Sequence, residues 1–222
     1  MYTTEQTQIN FPSPTKLFTP AITTIIMLMI IGFALVNYAT EFILNNFALI
    51  AGYFLHGKIW EIITYSFING CPWNLIINGM VILFIGSTIE REWGTRSFVL
   101  LWLVVAIVCG IIWIIVSLIA GRPFAGIGSE SCVYGIIATF GILYRGTRMW
   151  FYFFTVEAQN LALILIGIGI VLSIIQPLNL IWVFGALAAY IYVKLRWRMA
   201  SPGRRSTPSA QHRVSDGFVD ID

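Results

Sequence analysis

The chain of 222 residues is 58% hydrophobic and only 10% charged, with a formal net charge of +3 and a mean hydropathy of +0.84. A soluble core cannot absorb that apolar fraction, whereas lipid-facing helices require it, so an ordinary soluble domain is excluded. A bilayer admits helices or closed barrels, and long apolar runs without ten-residue alternation select helices.

The first stretch, residues 1–18, is polar and lacks the basic n-region and cleavage site of a signal peptide. Insertion is expected to begin with the first apolar helix. Six apolar segments follow, near Pro20–Ala39, Pro72–Ile89, Ser97–Ala120, Ser129–Leu143, Leu161–Ile175 and Leu178–Val193. They predict an all-α, polytopic, six-transmembrane-helix bundle over residues 19–197, followed by a Ser-, Pro- and Arg-rich tail, 198–222, expected to be disordered. The fourth and fifth segments fall short of the roughly 20 residues of an isolated span. A short helix opening Gly-Ser-Glu-Ser is expected inside a bundle, shielded from lipid. Between the first two segments, Thr40–Ile59 is amphipathic and aromatic and reads as interfacial. Trp150–Phe154 reads as an aromatic belt before the fifth helix, with Glu157 as an interfacial cap.

Basic residues set the expected orientation. Eleven fall on the N-terminal side of the alternating loops and in the tail, from Lys16, Arg91, Arg96, Arg145 and Arg148 to Arg213; only Lys58 and Arg122 fall opposite. Both termini are therefore expected in the cytoplasm, and the basic residues, Arg204 and Arg205 included, read as flanks of membrane segments. They give no indication of a nucleic-acid partner. Cys71, Cys109 and Cys132 are an odd count without CxxC spacing, which supports neither a metal site nor a disulfide framework. An outer Cys71–Cys132 disulfide stays open, beside the plainer reading as buried thiols. No cofactor is implied.

With that orientation Asn74, Glu130 and Trp182 all begin helices that enter from the outside, and they should share one outer layer. Small residues at helical spacing, Ser131 with Gly135 and Gly185 with Ala189, would allow close helix approach there. An ionisable group in a membrane segment points to function, and the Asn74 and Asn78 amides, one turn apart, would hold the Glu130 carboxyl. The plainer readings are a helix N-terminal cap for Glu130, packing glue for the two asparagines and a volume filler for Trp182.

Two stretches carry more. Trp60–Phe98 reads WEIITYSFINGCPWNLIINGMVILFIGSTIEREWGTRSF, in which Glu90, Arg91, Gly94, Arg96 and Phe98 form E-R-x-x-G-x-R-x-F; Gly128–Gly135 reads GSESCVYG. In these the chain resembles the rhomboid family of intramembrane serine proteases and their non-proteolytic relatives. The resemblance implies a helical bundle with a cavity opening outward. It also implies a serine nucleophile in G-x-S-G on the fourth helix, a histidine base on the sixth, and H-x-x-x-N on the second helix for the oxyanion. Aligned by Gly128, Tyr134 and Gly135, the nucleophile position holds Glu130. The base position, ahead of Gly185 and Ala189, holds Trp182, and the oxyanion positions hold Asn74 and Asn78. The two histidines, His56 and His212, fall outside this frame.

The resemblance therefore implies a pseudoprotease with no intact catalytic residue. Its partners would be membrane lipids and the transmembrane segments of client proteins, with Asn74, Asn78, Glu130 and Trp182 as client-binding candidates. The alternative is an active intramembrane serine endopeptidase with an atypical site, using Ser129 or Ser131. A transporter would show paired broken helices in two repeats, and the sequence shows neither.

Overall fold

The computed structural model describes residues 17–122, 124–145, 148–151, 154–175 and 179–200. The first apolar segment forms α1, Pro20–Tyr38. Proline suits the first helical position because its missing N–H would have no partner there. The second begins the same way and runs from Pro72 to Trp93 as α5 (Pro72–Val81), a wide π turn (Ile82–Gly86) and α6 (Ser87–Trp93). It stops at Gly94, whose φ of 81° suits glycine best. The third, α7 (Thr95–Ala120), ends at the left-handed Gly121. Among the described residues these are the three helices long and apolar enough to cross a membrane.

The later segments form α8 (Glu130–Leu143), α9 (Ala158–Ile175) and α10 (Leu180–Ala200). At 14 residues α8 is too short to span alone, and it lies at the centre, against α5, α7, α9 and α10. Its residues are buried almost all the way round, Ile136–Gly141 without interruption. The α8–α10 crossing is the tightest. A Cβ on Gly185 would lie 2.1 Å from the Ser131 carbonyl oxygen, and one on Gly135 3.3 Å from the Gly185 carbonyl oxygen. The small residues expected to permit close approach do so.

Around this core, Ile30, Ile31, Ile115, Ile119, Leu163 and Ile174 face outward and are exposed. A soluble protein rarely tolerates so much apolar surface, and lipid accounts for it.

Residues 40–67, between α1 and α5, fold into short helices: α2 (Thr40–Phe47), α3 (Ala51–Leu55), α4 (Glu61–Thr64) and a 3₁₀ turn (Tyr65–Phe67). As expected they do not cross again. They pack through α3 and α4 on α7, where the Gly110 Cα faces Leu49, Ile62 and Tyr65. Glu61 is fully buried here. Its Oε2 accepts from the Ile50 N–H at 3.2 Å, and its Oε1 has no hydrogen-bond partner among the described residues. Burial pushes this carboxyl above its ordinary range, against the Ile50 N–H and the charge of Lys58.

Three expectations need correction or limit. The all-α expectation holds for the membrane bundle, to which one short hairpin is added. Strands β1 (Arg148–Phe151) and β2 (Phe154–Glu157) form an antiparallel hairpin pairing Arg148 with Glu157 and Phe151 with Phe154. Trp150, Phe151 and Phe154 of the expected belt therefore lie on the two strands, which aromatic residues favour, and their side chains lie outside the described residues. Second, α10 continues to Ala200, into the stretch expected to be disordered, because Lys194–Ala200 (KLRWRMA) holds good helix formers. The polar start at 1–16 and the tail from 201 onward lie outside the described residues.

The helices share two ends. At one, the Glu90 carboxylate of α6 accepts the Ala21 and Ile22 N–H groups at 3.0 and 3.1 Å, the Thr95 hydroxyl at 2.7 Å, and the Thr19 hydroxyl. It thus caps α1 and ties it to α7. The Tyr144 hydroxyl after α8 donates to Glu92, and the Arg196 guanidinium lies 4.6 Å from the Trp93 ring centre. The other end holds the starts of α5, α8 and α10 and the close of α7.

Candidate functional site

At that second end two polar strings cross from α5 to α8. In one, Asn74 Nδ2 donates to Glu130 Oε1 at 2.9 Å. In the other, Asn78 Nδ2 donates to Ser129 Oγ at 3.0 Å, and Ser129 Oγ donates to Asn69 Oδ1 at 3.3 Å. Asn69, Asn78 and Ser129 are buried, and Asn69 Nδ2 has no hydrogen-bond partner among the described residues. The i and i+4 spacing puts both α5 asparagines on one face. Pro72 starts α5 just early enough for that face to meet the first turn of α8.

The backbone leading into α8 is shaped to receive the Glu130 side chain. Leu49 and Gly126 exchange backbone hydrogen bonds at 2.9 and 2.8 Å, and the Gly128 N–H donates to the Tyr65 carbonyl at 3.1 Å. These three bonds fix residues 126–128 against the short helices. Gly128 has φ 118°, and a Cβ on it would fall 1.8 Å from Glu130 Oε2. Glycine is thus required there twice over, by its backbone conformation and by the carboxyl above it. A Cβ on Gly126 would lie 2.9 Å from the Trp113 ring, whose Nε1–H donates to the Phe124 carbonyl at 3.2 Å. The carboxyl also accepts from Glu130's own backbone N–H and faces the Asn78 amide. Glu130 thus stands in the first turn of α8 and also makes the cross-helix contact.

Beside Glu130 lies a cavity lined by Tyr65, Trp113, Gly128, Ser131 and Trp182. Trp182 closes its α10 side, and its ring centre is 6.2 Å from that of Tyr134. All four expected site residues therefore come to one end of the bundle: Asn74, Asn78 and Glu130 in contact, Trp182 across the cavity. Ser131 lies beside the Cys109 thiol. His56 is elsewhere, its ring on the Gly52 carbonyl at 2.6 Å; His212 lies outside the described residues. Cys71, Cys109 and Cys132 are all free thiols, which removes the outer disulfide.

Sequence reasoning missed Asn69, Tyr65 and Trp113. Asn69-Gly70 ahead of Pro72 is a turn signal that could have drawn attention to Asn69. Nothing local marks Tyr65 or Trp113, which reach the site through the docking of residues 40–67.

Long apolar helices, a lipid-type exterior and a buried polar layer at one end define a helical integral membrane protein. Over residues 21–204 the sequence matches the family described as "Eukaryotic integral membrane protein (DUF1751)", and the chain belongs to it. No curated protein matches the chain.

Proposed function

We propose that the chain is a rhomboid-like membrane protein of six crossing helices that has lost the protease dyad and binds transmembrane segments of client proteins at its Glu130 end. The observation that carries this reading is the Glu130 carboxyl, held by Asn74 beside a cavity walled by Trp182. An ionisable side chain kept at that depth is expensive, and the two family positions for serine and histidine hold Glu130 and Trp182. The alternating helix ends support six crossings. The basic residues, eleven against two, support both termini in the cytoplasm, with Glu130 facing away from it.

The protease alternative lacks comparable support. The Ser129 hydroxyl is engaged by the Asn78 and Asn69 amides, neither of which can take its proton, and the His56 ring is exposed and turned to its own helix.

The test is photocrosslinking of single-span peptides to purified protein in nanodiscs, beside cleavage of a fluorescent rhomboid-type substrate. Wild-type protein should crosslink peptides without cutting them, and Trp182→Ala should change the yield. Cleavage above the no-protein control would overturn the reading. Cleavage only by Glu130→Ser/Trp182→His would establish the alignment of positions.

A further inference from the structure

We propose that the cavity beside Glu130 is a site for one primary ammonium group, and that it selects client segments carrying a lysine in the corresponding half of the span. The inference rests on the client-binding reading and names the chemistry of the client.

The first ground is charge. Among the described residues lining the cavity, Glu130 is the only carboxyl or basic group, with no Lys, Arg or His beside it. Its donors, the Asn74 and Asn78 amides and its own N–H, are neutral and occupy at most three of roughly four acceptor positions of a carboxylate. One acceptor position remains for a charged donor.

The walls are the second ground. Tyr65, Trp113 and Trp182 are all aromatic, and aromatic rings around a cation are the arrangement that attracts ammonium groups through the ring quadrupole. Gly126 and Gly128 make room for this set, one under the Trp113 ring and the other under the Glu130 carboxyl. A side chain at either position would fill the site.

Size narrows the choice. The cavity leaves about 20 Å³ free to the centre of a water-sized group, and roughly 10–15 Å³ suffices for one water. An ammonium is of that size; a planar guanidinium or a trimethylammonium is larger. The site should therefore prefer lysine to arginine and ignore choline headgroups. Within a membrane, two chains can present a primary ammonium at this depth. One is a lysine side chain of a client helix, and the other is an ethanolamine headgroup.

The test uses the full chain in nanodiscs of phosphatidylcholine and a set of single-span photoreactive peptides. The peptides are identical but for one residue, lysine, arginine or norleucine, placed at the depth of Glu130. The lysine peptide should label wild-type protein about tenfold more than the norleucine peptide, the equivalent of one charge-assisted hydrogen bond, with arginine near norleucine. In Glu130→Gln the lysine and norleucine peptides should label equally, whatever the common level. Because the decisive comparison changes the peptide, a folding defect in the variant cannot produce it. Adding phosphatidylethanolamine separates the sources: unchanged lysine preference assigns the site to the client, and lost preference assigns it to a headgroup that competes for it. Equal labelling by lysine and norleucine peptides would overturn the inference and leave client binding standing. No labelling by any peptide would overturn client binding instead. The ammonium site would then be decided by a photoreactive phosphatidylethanolamine, whose labelling must be lost in Glu130→Gln; indifference to that change would overturn it too.

Discussion

Replacing Glu90 by glutamine changes one atom's chemistry and leaves the side-chain shape intact. The carboxylate has two backbone donors, Ala21 N–H on Oε1 and Ile22 N–H on Oε2, and two hydroxyl donors, Thr95 on Oε1 and Thr19 on Oε2. The threonine hydroxyls can rotate to accept. The two N–H groups cannot. Whichever way a glutamine amide is turned, its NH₂ faces a buried N–H, leaving one donor unsatisfied at about 1–3 kcal/mol. The surviving bonds also lose their charge assistance, about 1 kcal/mol each. The expected loss is about 3–5 kcal/mol, in the range for breaking a buried charged network. Thr19→Val and Thr95→Val should each cost about 1 kcal/mol. The assay is reversible unfolding in mixed micelles by SDS titration, followed by tryptophan fluorescence. A Glu90→Gln loss under about 1 kcal/mol, or no larger than that of the threonine variants, would refute the reasoning.

Three further outcomes follow from other contacts. Gly185→Ala puts a methyl 2.1 Å from the Ser131 carbonyl oxygen, a backbone atom that cannot swing away. It should destabilise the bundle by about 1–3 kcal/mol and more than Gly135→Ala, whose nearest neighbours are the Val105 methyls at 3.0 Å; the same unfolding titration ranks them. Gly128→Ala should expel the Glu130 carboxyl from its place, so infrared difference spectra of the carboxyl stretch on binding a lysine peptide should lose the Glu130 band. For Glu61, burial raises the folded carboxyl above its unfolded value near 4.5. The folded state then binds the extra proton, and stability present at low pH is lost as pH rises through the folded value. Wild-type melting temperature should fall relative to Glu61→Gln as pH rises from about 4.5; parallel curves would show that Glu61 does not titrate on its own there.

Hydropathy marked the long helices to within a few residues, save the end of α10, because lipid makes apolar length almost the sole requirement for such a helix. The meeting of Asn74 with Glu130 was legible too, since alternation of the segments brings both to one end. What could not be read was anything decided by distant docking. Glu90 stood out only as part of a motif; that it caps α1 depends on Thr19, 71 residues away. Asn69, Tyr65 and Trp113 are unremarkable in sequence: Tyr65 joins the site as residues 40–67 pack on α7, which carries Trp113, and Asn69 joins it through Ser129. The β hairpin at 148–157 was not read, because aromatic residues favour both a strand and a membrane interface.

The π turn at Ile82–Gly86 sets the angular phase between the two ends of one helix. A π turn holds about one residue more than an α turn, and one residue is about 100° of rotation. Asn74 and Asn78 lie before it and Glu90 after it, so the surplus residue acts as a gear tooth between the polar layer at one end and the staple at the other. Straightening the turn with all its residues in place would rotate Glu90 by about 100° off the start of α1, whereas deleting Phe84 would turn the π turn into an α turn and leave the asparagines and Glu90 in phase. The two ends therefore keep their relation with the surplus residue or without it, so long as the wide turn is present to absorb that residue whenever it is there.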